Sequence, residues 1–209
     1  MIPLYLSMEK VSLEVAREVI DKMTNDNFDQ YDEHFKSINI DNFTSNLKNG
    51  FVVLTMLSSF IEVFLNTIIT SAELPDSSLL YSTVDKKVDC LSEYYAKKKT
   101  AIKGGVLWAR FKSANDVRNA LIHYKQGLLG EGTFIPDFQV GGQLAGTFLT
   151  QEKMNEIYDN NVQLARLIAD TFGLKIYQDI PIVISQGKDG LNAYVYDETK
   201  TVIDPSRFV

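Results

Sequence analysis

Nineteen consecutive residues, Phe51 to Ile69, carry one charge, Glu62, and this run restricts the fold more than any other part of the chain. As a helix it is about long enough to span a bilayer, so a membrane span and the core helix of a helical bundle are the two readings. A carboxylate in its middle, with Asn66 one turn on, would cost about 2.5–3.5 kcal/mol in lipid even on a lenient scale. That cost favours a buried core helix and no membrane. The opening residues Met1 to Lys10 have no basic leader and only a short apolar stretch, so they do not read as a signal peptide. The lone Cys90 excludes an internal disulfide framework and fits a reducing, cytoplasmic setting. With only His34 and His123 as imidazoles and one thiol, a zinc site is disfavoured, and no metal or cofactor is expected.

Helical spacing organises most of the rest. Residues 8 to 24 place Val11, Val15, Val19 and Ile20 on one face. Asn25 to Asn49 is polar and reads as a loop or short helix, with Gly50 ahead of the apolar run and Pro75 after it. Residues 84 to 99 put Val84, Val88, Leu91 and Tyr95 on one side and finish in Lys97, Lys98 and Lys99, which would complement a helix dipole. A further helix is predicted from Val106 to Leu128. The segment Gly127 to Thr147 then holds six of the chain's twelve glycines and reads as an insertion, flexible or hairpin-bearing. A last helix runs from Thr150 to Phe172 and stops at Gly173. Ile182 to Ile184, Leu191 to Tyr196 and Thr201 to Ile203 read as two or three short strands. The expected domains are an acidic N-terminal helix and connector (1–44), a helical domain (45–175) and a β-rich tail (176–209).

No phosphate-binding GxxxxGK[ST] loop, GxGxxG turn after a strand, G-x-S-x-G elbow or HExxH pair occurs, so common nucleotide hydrolases, α/β-hydrolases and zincins are poor fits. The informative stretch is Ser113 to Gln126. At about 100° per residue, Leu107, Phe111, Ala114, Arg118, Leu121 and Ile122 share one side, while Lys112, Asp116, Asn119 and His123 share the other. An arginine in an apolar stripe calls for a counter-charge, because an unpaired buried charge costs several kcal/mol. Glu62 is the expected partner. On a bland reading that pair only locks two core helices together. Trp108, Phe111, Tyr94 and Tyr95 read as core or interface aromatics, His34 as a surface residue and Cys90 as buried and inert.

The string Arg118-Asn119-Ala120-Leu121-Ile122-His123, with the polar residue after the arginine and Tyr124 after the histidine, resembles the R-x4-H motif of the HEPN superfamily of helical domains. The acid-bearing helix Phe60-Ile61-Glu62-Val63-Phe64-Leu65-Asn66 is similar to the first core helix of many members, and the resemblance covers about residues 45 to 175. It implies an all-α fold: a HEPN-like four-helix bundle core, here with an N-terminal helix and a small C-terminal β-hairpin appendage. It also implies a metal-independent endoribonuclease working at a cleft between two subunits, similar to toxins of toxin–antitoxin pairs or phage-defence effectors. RNA, a homodimer, and an antitoxin or regulatory protein are the implied partners. Arg118 and His123 would be catalytic, Asn119 would assist, and Glu62 would orient Arg118.

These residue types suit the reaction. An imidazole titrating near ~6.5 can take the proton of a ribose 2′-hydroxyl or supply one to the 5′-oxygen. A guanidinium can grip the phosphate and stabilise its growing charge. The product would be a 2′,3′-cyclic phosphate. Five residues separate Arg118 from His123, about 140° around a straight helix, so an isologous dimer offers the simplest route to convergence. The rival expectation is a catalytically inactive HEPN-like module that binds a nucleotide or protein.

Charge distribution bears on the RNA reading. The net charge of −6 argues against a polyanion, yet residues 86 to 125 hold ten Lys or Arg against three acids, leaving +7 there and −13 elsewhere. Lys97, Lys98, Lys99, Lys103, Arg110, Lys112 and Lys125, with Tyr124, form the expected RNA-binding set.

Overall fold

The computed structural model describes residues 8–26, 40–72, 77–122, 139–174, 184–187 and 190–193. Within them the fold is all-α, with seven α-helices and a small two-stranded hairpin near the C-terminal end. Helix α1 spans Met8–Ile20, α2 Ile40–Ser71, α3 Val84–Tyr94, α4 Thr100–Lys103, α5 Val106–Ile122, α6 Ala145–Phe148 and α7 Gln151–Phe172, with a 3-10 turn at Ser77–Tyr81. Strands β1 (Gln139–Val140) and β2 (Gln143–Leu144) form one antiparallel pair. Strands β3 (Ile184–Gly187) and β4 (Gly190–Ala193) form the other, with Gly187 opposite Gly190. The remaining predicted tail strands, residues 127–138 of the insertion, and His34 lie outside the described residues.

Two compact units are formed, one from described residues within Met1–Val11, Ser59–Trp108 and Val162–Val209, the other from those within Ser12–Ser58 and Ala109–Asn161. Helices α1, α2, α5 and α7 contribute residues to both.

Helix α2 is longer than the apolar run that announced it, because the polar stretch before that run is helical from Ile40. Two residues explain this. Asn46, 1% exposed, turns its amide on the chain leaving α1: Oδ1 accepts from Thr24 N at 3.0 Å and Nδ2 donates to Thr24 O at 3.0 Å. Gly50 lies inside the helix instead of breaking it, and a Cβ there would stand 2.7 Å from Leu149 Cδ2, so a close approach selects glycine. Further along, Leu57, Phe60, Ile61, Phe64 and Leu65 are buried, each contributing about 1.5–3 kcal/mol. By length and composition the helix could cross a membrane, yet 56% of its most apolar window is buried inside the protein.

Helix α1 buries Leu13, Ala16 and Ile20, with Met23 buried just beyond its end, whereas Val11, Val15 and Val19 sit at the half-exposed edge of that face. Its end is joined to the start of α7. Gln151 N donates to Thr24 O at 3.0 Å, Glu152 N to Asn25 Oδ1 at 2.7 Å, and Lys153 N to Thr150 Oγ1 at 3.3 Å, so the first three α7 amides are all satisfied. The other end of α7 closes at Gly173, whose φ of 72° admits the bonds Gly173 N to Asp170 O and Leu174 N to Ala169 O.

Helix α3 is shorter than expected for an instructive reason. Thr83 caps its start, accepting from Lys86 N at 3.3 Å. At its end Ala96 takes φ 52°, with Ala96 N bonded to Glu93 O and Lys97 N to Ser92 O. This is the glycine-type helix stop built on an alanine. Lys97, Lys98 and Lys99 therefore follow the helix instead of forming its last turn, and all three are exposed.

Candidate functional site

Helix α5 presents Trp108, Phe111, Ala114 and Val117 to the interior, and Lys112, Asp116 and Asn119 to solvent. Arg118 follows Ala114 by four residues and lies half-buried at the edge of the apolar face. Its Nη1 donates to Ser58 Oγ at 2.8 Å, and its Nε is buried with no partner among the described residues. No ion pair to Arg118 occurs among them either.

Arg118 and Ser58 belong to one unit, Glu62 to the other. The carboxylate expected beside Arg118 is engaged with Lys87, whose Nζ lies 2.9 Å from Glu62 Oε1. The Lys87 side chain is fully enclosed while that of Glu62 is 47% exposed, so the acid brings a counter-charge to a buried ammonium. Lys87 falls three residues after Val84, on the face it shares with the buried Val88 and Leu91, so its position is that of a core residue although its residue type is not. Ser58 was equally hidden, although it interrupts the apolar run on the face shared by Leu54 and Ile61. A lone hydroxyl at a core-facing position is the signal that pointed to it.

The basic residues divide. Lys97, Lys98, Lys99, Arg110 and Lys112 are exposed. Lys103 is held over the Trp108 ring at 5.8 Å by Asp89 at 2.6 Å and Asp85 at 3.6 Å, which commits it to the fold of its own unit. Tyr94 donates its hydroxyl to Ala72 O at 3.1 Å and meets Tyr95 edge-on at 5.0 Å. Tyr95 stacks on Phe172 at 5.0 Å. Burial raises the Tyr95 phenol above its usual pKa, with a smaller contribution from Tyr94. Cys90 is a free thiol of intermediate exposure.

A second element reaches the arginine's helix. Between β1 and β2, Gly141 and Gly142 take φ 57° and 77°, the two-residue turn that only glycine enters freely. A Cβ on Gly141 would meet Val117 N at 2.6 Å and Asp116 C at 2.7 Å, so this turn lies directly on the α5 backbone that leads into Arg118.

His123, Tyr124 and Lys125 lie outside the described residues. No group of three or more metal-ligating side chains occurs among those described. Together these features define an all-α protein whose Arg118 is bonded to a neutral hydroxyl and has no carboxylate partner among the described residues. Comparison with protein-family models, with curated proteins and with solved structures gave no match in any of the three.

Proposed function

We propose that the chain is a HEPN-like, metal-independent endoribonuclease that acts as a cytoplasmic homodimer, in the manner of a toxin or phage-defence effector restrained by an antitoxin or regulatory protein. One observation carries this reading. Arg118 is half-buried, tethered by a neutral hydroxyl and without a carboxylate partner among the described residues. A guanidinium so placed keeps its full charge for an incoming anion. Exposed Asn119 on the next position, and Lys97, Lys98, Lys99, Arg110 and Lys112, suit a phosphate backbone.

In the reaction the ribose 2′-oxygen attacks phosphorus, the bond from phosphorus to the 5′-oxygen breaks, and a 2′,3′-cyclic phosphate forms. His123 moves the proton from the 2′-hydroxyl to the departing 5′-oxygen, Arg118 stabilises the equatorial oxygens, and Asn119 orients the phosphate or the imidazole. Glu62 neutralises Lys87 and supports the fold. Purified protein incubated with RNA in EDTA, beside a His123→Ala control, tests the proposal. Cleavage by the wild type alone supports it, and equal cleavage by both refutes it. RNA binding without cleavage by either would favour the catalytically silent HEPN-like module.

A further inference from the structure

Ser58 is the residue whose contact with Arg118 most needs an explanation. It lies on α2, 6% exposed, among apolar neighbours. Buried polar side chains persist in such surroundings when they are hydrogen-bonded, and the partner here is the guanidinium, at 2.8 Å. A hydroxyl contributes one donor and two lone pairs but no charge. It can fix the direction of Nη1 without neutralising the cation, which a carboxylate in the same place would do. With Nη1 directed at Ser58 and Nε enclosed, Nη2 and the second Nη1 proton have no bond among the described residues and can take an anion.

Resting on the ribonuclease reading above, we infer that Ser58 is a positioning residue: it aims Arg118 at the scissile phosphate while leaving its charge intact. The side chain is selected for neutrality as much as for its hydrogen bond. Removing the hydroxyl lets the guanidinium swing, and replacing it with a carboxylate holds the guanidinium in place but discharges it.

The experiment uses the full chain and an RNA oligonucleotide made uncleavable by 2′-deoxy substitution, with affinity read by fluorescence anisotropy and folding by thermal melting. Variants are Ser58→Thr, Ser58→Ala, Ser58→Asp and Arg118→Ala. Threonine retains the hydroxyl and binds within about twofold of wild type. Alanine weakens binding about tenfold, in line with the loss of order at a charge-assisted contact. Aspartate weakens it further, towards the level of Arg118→Ala, although a hydroxyl that served only packing would make aspartate and alanine alike. Should the aspartate variant fail to fold, the difference between threonine and alanine decides. Loss of binding in Arg118→Ala with all three Ser58 variants like wild type overturns the role of Ser58 alone. Binding unaffected by Arg118→Ala, or no binding by the wild type, overturns the reading of the site and this inference with it.

Discussion

Substituting the two turn glycines one at a time separates a backbone strain from a steric contact beside Arg118. Gly141 and Gly142 both have positive φ, 57° and 77°. Alanine at either pays the left-handed penalty, about 1–2 kcal/mol. At Gly142 nothing lies within 4 Å of the added Cβ, so that penalty is the whole effect. At Gly141 the methyl would stand 2.6 Å from Val117 N and 2.7 Å from Val117 Cα, both backbone atoms. Relieving that overlap means moving the turn or the helix, a distortion of the kind that costs about 1–3 kcal/mol. Gly141→Ala should therefore destabilise by about 2–5 kcal/mol, well beyond Gly142→Ala. In urea, at a slope of about 2 kcal/mol per molar, the two midpoints should differ by about 0.5–1.5 M. The displacement falls just ahead of Arg118, so under the proposed ribonuclease function Gly141→Ala should also lower RNA affinity while Gly142→Ala leaves it near wild type. Midpoints within about 0.2 M of one another would refute the docking of this turn on α5.

Three further outcomes are expected. Asn46→Ala strands the Thr24 N–H, while Thr24 O keeps its bond from Gln151 N, and should cost about 1–3 kcal/mol by chemical denaturation, with Asn46→Asp intermediate because it keeps the acceptor. Ala96→Gly relieves the left-handed strain at φ 52° and should raise Tm by about 2 °C after the entropic cost of glycine is offset. Tyr95 is an acid whose folded pKa is raised, so the unfolded chain ionises first; the stability it confers is whole below pH ~10 and is lost as pH climbs towards the raised folded value. Tyr95→Phe should therefore shift the alkaline unfolding midpoint upward, read by circular dichroism across a pH series.

Periodicity made the elements legible where burial follows an apolar pattern. Helix α7 begins within one residue of its predicted start and stops at the glycine predicted to stop it, because Thr150 and Gly173 are local signals, even though two of its first amides are satisfied by the distant Thr24 and Asn25. The same logic failed where a partner far along the chain decides. Gly50 looked like a boundary and is a contact with Leu149. The asparagine-rich segment read as a loop or short helix, and from Ile40 it is the start of a 32-residue helix in which Asn46 is buried because Thr24 satisfies it. Ala96 ends α3 in a conformation that favours glycine, so no residue type marked the stop.

The candidate site divides in the same way. The exposure of Asn119 and the partial burial of Arg118 beside Ala114 follow from 100° steps along one helix and were readable, but the expected stripe was rotated: Val117 is buried, while Leu121 is part-buried and Ile122 exposed at the helix end. The arginine's partner was not, since an ion pair with Glu62, the only charge of the apolar run Phe51 to Ile69, was the plainest electrostatic solution. Lys87 took that charge, and a hydroxyl took the arginine. That exchange changes the chemistry proposed for the site, because among the described residues it leaves Arg118 without a carboxylate.

The most direct test of the central claim is the chemistry of the ends that the protein leaves on RNA in EDTA. A 5′-labelled oligonucleotide is incubated with wild type, Arg118→Ala and His123→Ala, beside a substrate with a single 2′-deoxy residue at the cut position. The account predicts a 2′,3′-cyclic phosphate from wild type, no product from either variant, and no cleavage at the 2′-deoxy position. A 3′-hydroxyl end, or cleavage that persists at the 2′-deoxy residue or in His123→Ala, would contradict it.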